Sequence, residues 1–133
     1  MIYILQSKEY KQFIEKQLST PMLHFSLEYT KRNIDIFNKC LETFYNNLST
    51  YGMLSKTAKL HNLSKQRVSD IFNKYMIHFI VYNISELDHK YEDNYISFCC
   101  KLLNKQSYKN LQNYIDTGKT IKQISNRDLY FIR

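Results

Sequence analysis

Apolar residues recur along this chain at helical spacing almost from end to end. Tyr10, Phe13, Ile14 and Leu18 form one stripe, with Ser7 placed to cap it and Ser19, Thr20 and Pro21 to close it. A longer helix is predicted over about 25–48. There Leu27, Ile34, Leu41 and Leu48 fall seven apart, and Thr30, Phe37 and Phe44 interleave on the same face. Tyr51 and Gly52 are expected to end it, glycine suiting a left-handed C-terminal cap. Such a seam needs a partner, either the remainder of the chain or the same helix of a second copy. The bulk of the interleaved phenylalanines favours an internal core. Ser85 and Asp88 open a further predicted helix through about Leu103, with Tyr91, Tyr95, Phe98 and Leu102 along one side. Ser107 to Ile115 makes another, with Tyr108, Leu111 and Ile115 inward and Thr117 and Gly118 as its stop.

Three stretches resist this reading. Ile2 to Leu5 is short and apolar, fitting a strand or an extended arm. Residues 76–84, MIHFIVYNI, are almost wholly apolar, so a strand beginning a wing and a continuing helix are equally compatible. Residues 120–133 alternate only weakly. With two glycines and one proline, no low-complexity linker divides the chain. The expected fold is mainly α, a helical bundle with room for a short β element as a wing or an N-terminal strand. A core is expected over 1–84, and a C-terminal helical extension over 85–133 that serves dimerisation or enlarges the core.

Residues 54–73, LSKTAKLHNLSKQRVSDIFN, order small, turn, capping and apolar residues as two short crossed helices require. Ala58 stands where the helices approach and a larger side chain would separate them. Asn62 stands at the turn, where positive φ is needed and asparagine tolerates it at low cost. Leu63 follows as a plug beneath the turn. Ser64 is placed to cap the next helix by accepting a free backbone N–H. Val68 and Ile71 then face Ala58, and Lys65, Gln66, Arg67, Ser69 and Asp70 are left outward. This is a helix-turn-helix pattern.

Within it, LSKQRVSDI is similar to the recognition half of sigma-factor region 4 and related helix-turn-helix regulators. In those a capping serine, a basic residue, a polar residue, arginine and valine recur in that order. The resemblance spans residues 54–73 and departs at Asn62, where glycine is usual, and at Thr57, where an aliphatic residue usually packs. It implies a DNA-binding unit whose second helix enters the major groove.

Charge points the same way. The chain has 133 residues, enough for one domain, and its 19 basic and 12 acidic residues give a net charge of +7. That balance favours a polyanionic partner. Lys56, Lys59, Lys65, Arg67 and Lys74 face Asp70 alone across residues 51–77, so the excess falls on the motif. The sign reverses over 78–100, where Glu86, Asp88, Glu92 and Asp93 oppose Lys90, and turns basic again over 101–133. The expected DNA-binding residues follow. Lys65, Gln66, Ser69 and Asp70, after the Ser64 cap, are placed for base edges. Arg67 is placed for a base or a phosphate. Lys56, Lys59, Asn73 and Lys74 are phosphate candidates.

The resulting functional expectation is a sequence-specific, double-stranded DNA-binding transcriptional regulator. It would be a small repressor or accessory factor of phage, plasmid or AT-rich bacterial character, acting as a homodimer on two half-sites. The tyrosine-rich helices over 91–115 are the expected dimer face. The alternative is a protein-interaction module of a transcription or replication assembly.

Catalysis is not expected. TGKT at 117–120 lacks the earlier glycine and the strand of a phosphate loop. His24, His61, His78 and His89 share no ligand spacing, and Asp88, Glu92 and Asp93 read as a solvated helix face. Cys40, Cys99 and Cys100 offer no zinc spacing and fit a reducing cytoplasm as buried or idle thiols. No cofactor is expected. The opening MIYILQSKEY has no basic leader, and no apolar run is long enough to span a bilayer, so a cytoplasmic protein without membrane contact is expected.

Overall fold

The computed structural model describes residues 2–19 and 27–116, with the backbone alone for 114–116. Within them the chain is mainly α. A 3-10 turn, Ile4–Gln6, precedes α1 (Lys8–Ser19), α2 (Leu27–Asn47), α3 (Thr50–His61), α4 (Lys65–Ser85), α5 (Asn94–Lys101) and α6 (Lys105–Asp116), and no strand occurs among the described residues. They form two compact units, Tyr3–Phe72 and Asn73 onward, so the division falls inside α4. The stops expected at Thr20 and Pro21 and at Thr117 and Gly118 lie outside the described residues. So do the helix start near Phe25, the inward Ile115 and the segment 120–133.

The strand or arm expected at Ile2–Leu5 does not form: in the first unit Ile4 and Leu5 belong to the 3-10 turn Ile4–Gln6. Ile4 is fully buried, and its N–H donates to the Tyr45 hydroxyl on α2 at 2.8 Å, so a side chain satisfies the group that a strand neighbour would have taken. Ser7 closes this turn by donating to the Ile4 carbonyl and opens α1 by accepting the Tyr10 N–H at 3.2 Å, as its capping position predicts. Tyr10 and Phe13 are buried inward. Ile14 is half-buried, while Leu18 in the last turn is exposed.

The centre of the seam on α2 is covered by the chain itself. Thr30, Ile34, Phe37 and Leu41 are buried, and Asn33, Ile36, Cys40 and Thr43 widen the stripe beyond a heptad pattern. That width is what a helix needs when it packs on more than one neighbour. Both α1 and α3 lie against α2, and the Phe37 ring meets Tyr10 at 6.1 Å and Phe72 of α4 at 5.4 Å. Leu27 and Leu48, at the two ends, remain exposed.

The expected cap at Gly52 is displaced. Leu48 takes the left-handed conformation that ends α2, at φ 53°. Ser49 then starts α3 by accepting the Gly52 N–H at 3.2 Å, which puts Gly52 inside the first turn of the new helix.

In the second unit, residues 76–84 continue α4, which settles the choice between strand and helix. The run from Tyr75 to Val81 is buried at every position, so no polar face interrupts it. The following helix starts later than expected. Asp88 turns left-handed at φ 58°, and Asp93 caps α5 by accepting the Ile96 N–H at 2.8 Å. His89 pins the connecting loop, its N–H on the Asn83 carbonyl and its ring 2.7 Å from the other Asp93 oxygen. Asn104 opens α6 by accepting the Ser107 N–H at 2.8 Å, which buries Ser107 and Leu111 while Tyr108, expected inward, stays 44% exposed.

Two outcomes follow from this packing. Leu48 is exposed and left-handed, so Leu48→Gly should raise stability by about 1 kcal/mol, read as a higher urea midpoint at unchanged slope. His78 is buried, and burial, aided by nearby Lys74, lowers its pKa to about 4. Protonation therefore favours the unfolded chain: the contribution is complete above about pH 6.5 and is lost as pH falls toward 4, by up to roughly 3 kcal/mol. Denaturation curves between pH 7 and about 4 should show that loss, and His78→Leu should flatten it.

Candidate nucleic-acid interface

α3 ends in a tight, fully bonded turn. Asn62 sits at φ 53°, ψ 47°, in the left-handed region its sequence position requires. The Leu63 N–H reaches back to the Ala58 carbonyl at 3.0 Å and the Asn62 N–H to that of Lys59 at 3.4 Å, the paired closure that satisfies a helix end before the chain changes direction. Ser64 restarts the helix, its hydroxyl accepting the Arg67 N–H at 3.1 Å. Behind the turn Met53, Thr57 and Ala58 of α3 are buried, as are Val68, Ile71 and Phe72 of α4. Ala58, Val68 and Ile71 are thus inward as expected, while Leu63, expected as the plug beneath the turn, is half-buried. Thr57 lies beside the Cys40 thiol, so a polar side chain occupies a site where an aliphatic one was anticipated.

The outward set is only partly as anticipated. Ser64, Lys65, Gln66 and Arg67 are exposed, as are Lys56 and Lys59, while Ser69, Asp70 and Lys74 are half-buried. Asn73 departs from its phosphate assignment: it is 5% exposed, and its Oδ1 accepts the Asn104 N–H at 2.8 Å. Sequence spacing gave no sign of that, because the partner lies 31 residues away. Asn73 has a structural job, supporting the loop that caps α6.

Several outward side chains are held by neighbours that sequence reading missed. The Lys65 ammonium lies 3.4 Å from the centroid of the Tyr51 ring, a cation–π contact on a tyrosine that is itself 69% exposed. The Arg67 guanidinium donates to the Tyr29 hydroxyl of α2. Lys56 donates to Asn47 Oδ1 at 2.8 Å, and Gln66 Nε2 donates to Asp70 Oδ1 at 2.9 Å one helical turn on. Tyr29, Tyr51 and Asn47 carry no motif, and only the tertiary fold brings them to these cations.

The first turn of α4 has no acidic residue, although acids are favoured there by the helix dipole. Lys65 and Arg67 stand there instead, so the free N–H groups and two cations present positive charge together. Such an arrangement raises the local concentration of anions and suits phosphate oxygens. Among the described residues no group of three or more His, Cys, Asp or Glu is placed to hold a metal ion. All three cysteines are buried and none is in a disulfide. Burial pushes the Cys40 thiol up to about 12 and the Cys100 thiol to about 11, leaving both neutral at pH 7. Among the described residues no helix is long and apolar enough to cross a membrane.

Comparison with protein-family models, curated proteins and solved structures found no match for this chain.

The reassignment of Asn73 is open to a direct check. Asn73→Ala should cost about 1–3 kcal/mol by leaving the Asn104 N–H without its acceptor, seen as a lower denaturation midpoint.

Proposed function

We propose that the α3–turn–α4 pair works as a helix-turn-helix and that the chain is a sequence-specific regulator of transcription binding double-stranded DNA. The observation that carries this reading is the first turn of α4. It is capped, backed by buried Val68, Ile71 and Phe72, free of acids, and exposes Ser64, Lys65, Gln66 and Arg67 together.

In this reading α4 enters the major groove with its N-terminal turn leading. Lys65 and Gln66 meet base edges, lysine suiting guanine and glutamine suiting adenine. Gln66 and Asp70 satisfy one another in the free protein, so reading a base requires that hydrogen bond to be exchanged rather than a bare group to be filled. Arg67, tethered to Tyr29, meets a base or a phosphate, while Lys56, Lys59 and half-buried Lys74 add phosphate contacts. The proposal includes a homodimer on two half-sites in the cytoplasm, no catalytic role and no cofactor. Among the described residues of α5 and α6, Ile96, Cys99, Cys100 and Leu111 are buried within the single chain, so a dimer contact there would draw on Tyr108 and the half-buried Tyr95 and Phe98, with half-buried Tyr91 before them. A second reading, a module docking another protein of a transcription or replication assembly, draws on Leu48, Tyr51 and Leu60, all more than half exposed.

Mobility shifts at two salt concentrations separate the readings. DNA binding by the dimer through about six to eight phosphates should weaken roughly a thousandfold to ten-thousandfold between about 50 and 200 mM salt, whereas the docking module should bind little at either. Lys56→Ala should weaken all sequences alike and reduce the salt slope by about 1 for each half-site, while Gln66→Ala should cost about 1–3 kcal/mol at one base position of each half-site only. Equal losses on every sequence from both changes would overturn this division of roles.

A further inference from the structure

The second unit, taken by itself, holds a cavity of about 420 Å³ lined from the loop before α5, from α5 and from the start of α6. That volume lies in the range of small-molecule sites, roughly 300–1,000 Å³. Tyr91, Cys100, Leu103 and Tyr108 give it aromatic and apolar walls, with Ser97 as a polar side chain among them. Tyr91 is fixed in place: its hydroxyl donates to Gln112 Oε1 at 2.9 Å, and Cys100 and Tyr108 lie within hydrogen-bond reach of it.

Lys101 and Lys105 also line it, and among the described residues no acidic one joins them. The four acids of the adjoining region, Glu86, Asp88, Glu92 and Asp93, are absent from the wall, so the local charge is positive even though the sequence block before it is acidic. Both lysines are exposed and keep their hydration. Tyr108 also stays partly in solvent, one helical turn before fully buried Leu111. An exposed ring beside two ammonium groups and a concave apolar wall complements a flat apolar body bearing one negative group. The Cys100 thiol, neutral and mostly buried, is a poor nucleophile, so the chemistry on offer is reversible association.

We propose that this cavity binds a small aromatic carboxylate, its ring against Tyr91, Leu103 and Tyr108 and its carboxylate toward Lys101 and Lys105. The inference does not rest on DNA binding and is tested without it. Amide NMR spectra of the whole chain would be titrated with benzoate, benzyl alcohol and benzylamine. Benzoate should shift amides across residues 91–108 with a Kd on the order of 1 mM, about fivefold or more tighter than benzyl alcohol, with benzylamine weakest. The double change Lys101→Glu with Lys105→Glu should reverse the order of benzoate and benzylamine while leaving benzyl alcohol unchanged. Tyr108→Ala should weaken benzoate and benzyl alcohol alike. The proposal is overturned if benzoate moves no amide in that region by about 10 mM, or if benzyl alcohol binds equally well. An order unchanged by the lysine replacements overturns it too.

Discussion

Asn62 holds a left-handed backbone so that α3 can stop with its last carbonyls satisfied and α4 can start within the next few residues. With an ordinary helical φ at that position the backbone would run on through Leu63 and Ser64. The Ser64 hydroxyl would then lose its role as a cap, and Lys65, Gln66 and Arg67 would lie along the middle of a rod instead of at an open end. Everything distinctive about this surface depends on that interruption: the free N–H groups, the uncompensated helix dipole and the cations gathered beside it. The small side chain of Ala58 and the buried Val68 and Ile71 hold the two helices together behind it.

Where local chemistry decides the structure, the sequence is readable. Ser7, Asn62 and Ser64 each act through bonds to residues a few positions away, and each is found in the role its neighbours imply. The seam on α2 is legible for a related reason, since its period reports one face buried against the rest of the chain. Legibility fails where distant partners decide. Ile4 becomes a 3-10 residue because Tyr45 takes its N–H, and Asn73 is drawn inward because the chain returns at Asn104. Residues 76–84 gave no period because the helix is buried at every position through Val81, which removes the contrast that periodicity measures. The junction after α2 misled for a different reason. Glycine is the cheapest left-handed residue, yet the serine at 49 captured the next helix start and left Leu48 to absorb the turn.

The cations of the candidate interface illustrate how a fold turns composition into geometry. In the sequence they are an excess of charge, and long lysine and arginine side chains carry considerable rotamer freedom. In the folded chain three of them lie against Tyr51, Tyr29 and Asn47, so part of that freedom is already spent before any partner arrives. Preorganisation of this kind lowers the entropic cost of association without adding a contact. It also assigns α2 a role beyond core formation, because one face packs on α3 while Tyr29 reaches the first turn of α4.

The thiols have a use that their burial creates. Cys40 lies in the first unit and Cys99 and Cys100 in the second, and Cys40 and Cys99 are sealed from solvent entirely. A thiol-reactive label meets these two only when the structure around them opens, so the rate at which each is modified reports the opening of its own unit. The chain thus carries a built-in probe of local unfolding on either side of Phe72, with no residue added.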